Sequence, residues 1–110
     1  MAKIVVSVPS RPYAKALDGL AVDVVEWTID APCGRTDLDM VVVPAYKPFS
    51  SLRHLAGNKP ALVQLPSIGY DGVEQVVPKG FLVANAAGVH ETATAELAVG
   101  SIIAVLRKLP

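Results

Sequence analysis

Lys3-Ile4-Val5-Val6-Ser7-Val8 opens the chain with a run too short for a helix and rich in β-branched residues. Side chains alternate across a strand, so apolar residues at successive positions point to both of its faces. The run therefore predicts a strand buried on both sides, which is what a parallel sheet covered by layers on either face requires. Four more runs of this kind follow: Val22 to Trp27 (VDVVEW), Met40 to Val43 (MVVV) ended by Pro44, Ala61 to Leu65 (ALVQL) and Phe81 to Ala84 (FLVA). Helical signals separate them. Arg11 to Gly19 has Tyr13, Ala16, Leu17 and Leu20 at helical spacing, with Pro12 near its start and Gly19 at its stop. Asp30 to Asp37 is a polar loop, Phe49 to Leu55 a short helix between Pro48 and the Gly57-Asn58 stop, and Gly72 to Val77 a brief helical turn before Pro78 and Gly80. A long helix from about Glu91 to Lys108 closes the chain, with Arg107 and Lys108 in the last turn, where the macrodipole favours cations. Strands alternating with helices specify an α/β fold: a flavodoxin-like or Rossmann-like parallel sheet of about five strands with flanking helices and a long C-terminal helix.

At 110 residues the chain has room for one core. Its hydrophobic share of 52% exceeds the usual range of about 45–50%, so either the core is large or apolar surface is left for a partner. Ten Lys plus Arg balance ten Asp plus Glu, and like charges never cluster, which argues against nucleic acid and anionic membrane as partners. The longest apolar stretch, Ala93 to Leu106, is interrupted by Glu96 and is shorter than the roughly 20 residues of a membrane span. MAKIVVSV enters a strand with no cleavage site, so no secretory signal is visible and a cytoplasmic protein is expected. Cys33, the single cysteine, excludes an internal disulfide and a four-ligand zinc site; between Pro32 and Gly34 it reads as an accessible, inert thiol.

Ligands of such sheets bind beyond the carboxyl ends of the strands, which directs attention to Pro9–Arg11, Pro44–Pro48, Pro66–Asp71 and Asn85–His90. The segment Leu65-Pro66-Ser67-Ile68-Gly69-Tyr70-Asp71-Gly72 carries two glycines three apart. If Gly69 takes a backbone conformation closed to other residues, successive N–H groups converge into a small nest suited to a carboxylate. The competing reading is a tight turn, with Asp71 capping the next helix. None of the eight glycines forms G-x-G, and the first strand ends in Val8-Pro9-Ser10-Arg11, so independent binding of a dinucleotide or of ATP is not expected. His54 reads as a surface or half-buried residue. His90, between the fifth strand and the long helix, is better placed, as a general acid or as a loop or ligand-edge residue. The closing helix is apolar nearly all round, so it is expected to be covered on several sides, one of them by this domain.

The order of motifs from Val63 onward resembles the D-isomer-specific 2-hydroxyacid dehydrogenases. Val63 to Val73 matches that family's strand and Gly-Asp loop, Pro78-Lys79-Gly80 its Pro-x-Gly turn, Phe81 to Asn85 its Asn-ending strand, and Thr94 to Ala98 with Arg107 its Ala-Glu helix. The first sixty residues agree in layout alone. The resemblance implies a substrate-binding (catalytic) domain over residues 1–90 and a hinge or dimerisation helix over 91–110, with NAD(H) as cofactor of the parent enzyme and a small 2-hydroxy or 2-oxo acid as substrate. It implies that the Ile68 and Gly69 amides hold the carboxylate, that Tyr46 and Lys47 touch the variable group and that Tyr70 also contacts the substrate. Asn85, His90 and Thr94 would face the cofactor. The family's Arg, Glu and His that act on the carbonyl, its glycine-rich NAD loop and its returning C-terminal segment have no counterpart here. The resemblance therefore implies a truncated substrate domain, inactive and without bound NAD on its own, with no metal and no catalytic residue. The alternative is a stand-alone flavodoxin-like binding or assembly module; either form is expected to be a homo-oligomer through the 91–108 helix.

Overall fold

Residues 3–110 are described by a computed structural model. In chain order the elements are β1 (Ile4–Val8), α1 (Arg11–Ala16), β2 (Val22–Glu26), β3 (Met40–Val42), a 3-10 helix (Phe49–Leu55), β4 (Leu62–Gln64), α2 (Val73–Val76), β5 (Val83–Ala84) and α3 (Glu91–Arg107). The five strands form one sheet in the order β2-β1-β3-β4-β5, and every neighbouring pair is parallel. The chain winds outward to β2, returns past β1 and continues to β5, so the winding reverses between β1 and β3. This is the expected α/β class.

Register explains the core. Ser7 lies beside Val25 and Val41, which continues to Val63 and Val83, all on one face. Val5, Val41, Val43, Val63 and Leu65 meet Ile29, Leu38, Leu52, Leu55 and Val73 there. The 3-10 helix forms because Phe49, Leu52 and Leu55 recur every three residues, and a helix with three residues per turn aligns them on one edge. Leu52 and Leu55 are fully buried, which stabilises each by about 2 kcal/mol and offsets the poorer hydrogen-bond geometry. The short helix read from the sequence here is thus of the tighter 3-10 kind.

The opposite face is less complete. Val6, Met40 and Leu62 share it in register, as do Val42 and Gln64. Among the described elements only α1 packs on it, against β1 and β2, so Met40, Val42 and Leu62 stay half-buried.

Two irregular positions hold the frame. Asp39 donates its N–H to Val5 O at 2.9 Å and accepts the Val5 N–H on its carboxylate at 2.8 Å. Its carbonyl accepts from Ala61 at 2.8 Å, so one residue ties the starts of β1 and β4 to the approach to β3. Ile29, fully buried, has φ of 59°, a left-handed conformation unfavourable for a β-branched residue. Burial of its side chain and the 2.8 Å hydrogen bond between its carbonyl and His54 Nδ1 hold it there.

α3 contradicts the expectation that the domain covers one of its sides. It has no buried residue and packs against no other element. The radius of gyration is 17.5 Å, where a compact chain of this length has about 13 Å. The cause is local: Gly88, at φ 85°, and the Glu91 carboxylate, which accepts from the Gly88 N–H at 2.5 Å and the His90 N–H at 3.1 Å, direct the helix away from the sheet.

Candidate functional site

The loop between β4 and α2 presents an unusual backbone. Four successive carbonyls are taken: Ser67 O accepts from Ala86 N at 2.9 Å, Ile68 O from Asn85 Nδ2 at 3.0 Å, Gly69 O from Ser67 Oγ at 3.3 Å and Tyr70 O from Val73 N at 3.0 Å. Its amides are not. The N–H groups of Ile68, Gly69, Tyr70 and Asp71 donate to no described residue, and all four residues are exposed. With four successive acceptors engaged and four donors left over, the loop can offer partial positive charge to an external anion.

The glycines divide the work differently from the reading of the sequence. Gly72, at φ 79°, is the left-handed residue and starts α2, whereas Gly69 has no positive φ. A Cβ at Gly69 would meet nothing within 4 Å, so the fold itself does not require glycine there. Its bare Cα leaves the loop amides open to close approach from outside. Asp71 caps nothing: Gly72 is the N-cap, and no side chain bonds that helix start.

Asn85 organises this loop. Its carbonyl accepts from Gln64 Nε2 at 3.0 Å, its side-chain N–H holds Ile68 O, and its Oδ1 accepts from Ala87 N at 3.3 Å. A residue expected to face a cofactor is therefore occupied in joining the ends of β4 and β5. Gln64, absent from the expected site, is its anchor and also donates to Leu65 O at 3.0 Å. The signal was present: Gln64 is the one polar residue in ALVQL.

The other expected residues are spread along the same strand ends. Tyr46, after β3, is fully exposed at φ 64°, a strained conformation of the kind that collects at binding sites. Lys47 is engaged: its Nζ meets Asp30 Oδ1 at 2.5 Å, and this bond, with one from Thr28, holds the Asp30 carboxyl below the ordinary aspartate range. Tyr70 is exposed and lines, with Asn85, a cleft of about 570 Å³ between α2 and β5. His90 is the exposed N-cap of α3, and its carbonyl accepts from both N and Oγ1 of Thr94 at 3.2 Å. Thr94 thus closes the first helical turn. His54 is half-buried on the 3-10 helix and serves Ile29, and Cys33 packs against the core. Among the described residues no group of three or more His, Cys, Asp or Glu is placed to hold a metal.

Amides without a described partner sit at the carboxyl end of a parallel sheet, and the sequence has a relative with an acid in its name. The chain is similar to the glyoxylate reductase/hydroxypyruvate reductase of Mus musculus, at 30% identity over 112 residues. The match covers 93% of this chain and 34% of the relative, so the chain spans about a third of that protein's length. No family model matches the chain, and no solved structure matches it. No helix among the described residues is long and apolar enough to cross a membrane.

Proposed function

We propose that this chain is the carboxylate-anchoring part of an NAD(H)-dependent oxidoreductase for small 2-oxo and 2-hydroxy acids, of the D-isomer-specific 2-hydroxyacid dehydrogenase family. Residues 1–90 are its substrate-binding domain and 91–110 its hinge. The observation that carries this reading is the loop in which the Ser67 to Tyr70 carbonyls are satisfied while the Ile68 and Gly69 amides donate to no described residue. Two N–H groups donating to one carboxylate make charge-assisted hydrogen bonds, stronger than neutral ones, and hold the acid in one orientation. Tyr70 and Tyr46 border the variable group, and the Asn85 to Thr94 segment faces the cofactor's side of the cleft. Similarity to a reductase of two such acids supports the same class.

NAD(H) belongs to the parent reaction. The turn between β1 and α1 does not fit a dinucleotide: Pro12 near the start of α1 removes an N–H, Arg11 is paired with Glu26 at 3.4 Å, and no glycine stands where a pyrophosphate would need close backbone approach. The chain's own residues bind and orient the acid. The purified chain is expected to show no NADH oxidation with glyoxylate, pyruvate or hydroxypyruvate. Titration with oxamate, followed by NMR, is expected to shift the Ile68 and Gly69 amides saturably; unmoved amides there would refute the proposal.

A second reading, an assembly module, is favoured by α3. Leu97, Val99, Ile102, Ile103, Val105 and Leu106 are 50% to 77% exposed. They lie around the helix and not on one stripe, so apolar surface is left for a partner on more than one side. Pairing of two copies through this helix is compatible with the anchoring role, and light scattering at micromolar concentration checks it: a monomer mass is the contrary result.

A further inference from the structure

We propose that the cleft between α2 and β5 binds a small zwitterionic α-amino acid with an apolar side chain. At about 570 Å³ it lies within the range of small-molecule sites. Leu65 and Val73 form a buried floor, and half-buried Val77 and Val83 continue it. Phe81 and Tyr70 add two aromatic rings, which suit an apolar or aromatic side chain.

The polar elements are what select the ligand. Glu74 and Lys79, both exposed, line the same cleft, and neither pairs with the other or with any other described residue. A ligand with an ammonium and a carboxylate on one carbon supplies both partners at once. A singly charged amphiphile supplies one.

The sheet edge contributes as well. Leu82 O and Ala84 O accept from Val63 and Leu65, so the N–H and C=O of Val83, between them, point away from β4. β5 is the outermost strand and only two residues long, so its free edge offers one donor and one acceptor. That suits the two charged groups of an amino acid and is too short for a peptide adding as a further strand. The cleft shares Tyr70 and Asn85 with the carboxylate loop, but Ile68 and Gly69 do not line it.

The test is an NMR titration of the isotope-labelled chain with L-phenylalanine, run beside glycine, 3-phenylpropionate and phenethylamine. L-Phenylalanine is expected to shift the Val77, Phe81 and Val83 amides saturably, with an affinity at least about tenfold above each of the other three. Lys79→Gln is expected to erase its advantage over phenethylamine, and Glu74→Gln its advantage over 3-phenylpropionate. Equal affinity for L-phenylalanine and 3-phenylpropionate overturns the zwitterion. Absence of saturable shifts at the three amides, or shifts confined to Ile68 and Gly69, overturns the site. Gly69→Ala is expected to lose the oxamate response and keep the L-phenylalanine response, so failure of either proposal is distinguishable from failure of the other.

Discussion

Asn85 Nδ2 donates to Ile68 O at 3.0 Å across 17 residues of sequence, fixing a loop whose Ile68 to Asp71 amides donate to no described residue. Asn85→Ala removes this tie and the acceptor for Ala87. Stability is expected to fall by about 1 kcal/mol, the net worth of an ordinary hydrogen bond, with a larger relative loss of oxamate affinity as the Ile68 and Gly69 amides lose their common orientation. Urea unfolding and the NMR titration measure the two effects separately. Full oxamate affinity in this variant would show that the loop holds itself.

Gly69→Ala separates fold from binding. The added methyl meets nothing and the backbone is in an ordinary region, so stability is expected to change by less than about 0.5 kcal/mol. Oxamate binding is expected to weaken by at least about tenfold, because the methyl stands where the carboxylate approaches. A variant that binds as before would remove the reason for glycine at this position.

Glu91 gives a pH dependence. Its pKa is lowered, first by the hydrogen bond from the Gly88 N–H and then by its own and the His90 amide. A carboxyl whose folded pKa lies below its unfolded value contributes stability that is present above the unfolded pKa and lost as pH falls through the folded one. The start of α3 is therefore expected to loosen on acidification. The Gly88 amide resonance is expected to titrate with a midpoint below that of an ordinary glutamate, and Glu91→Gln to abolish the titration. A midpoint at the ordinary value would contradict the clamp.

Ile29 sets strain against burial. Ile29→Gly relieves a left-handed β-branched residue, a gain of about 1–2 kcal/mol, but empties a fully buried site, a loss of roughly 4 kcal/mol. Burial wins, and a net loss of about 2–3 kcal/mol is expected in urea unfolding. A gain in stability would mean that the strain is larger than the core contribution.

Much of the fold was legible because parallel strands buried on both faces read as unbroken apolar runs: IVVSV, VDVV, MVV and LVQ all fall inside strands. The strands came out shorter than their apolar runs, since a ladder ends where its neighbour ends; β5 keeps only Val83 and Ala84 of FLVA. The loop between β4 and α2 was legible as a candidate segment, but the parts that shape it were not. Which glycine turns left-handed, and that Gln64 and Asn85 hold the loop from β4 and β5, depend on strands brought together across the sheet. Ile29 was hidden in a polar neighbourhood, its burial decided by a turn that no local pattern encodes. The 3-10 helix could have been read from the three-residue spacing of Phe49, Leu52 and Leu55.

With no neighbour to lean on, α3 takes its heading from a single short connection, in which Gly88 is the freest joint. Seventeen residues of helix make a lever arm of roughly 25 Å, so a rotation of about 20° at that joint sweeps the Arg107 end through about 9 Å. The bond from Gly88 N to Glu91 Oε1 is then a latch on the pivot, and whatever seizes the carboxylate of Glu91 frees the arm to swing.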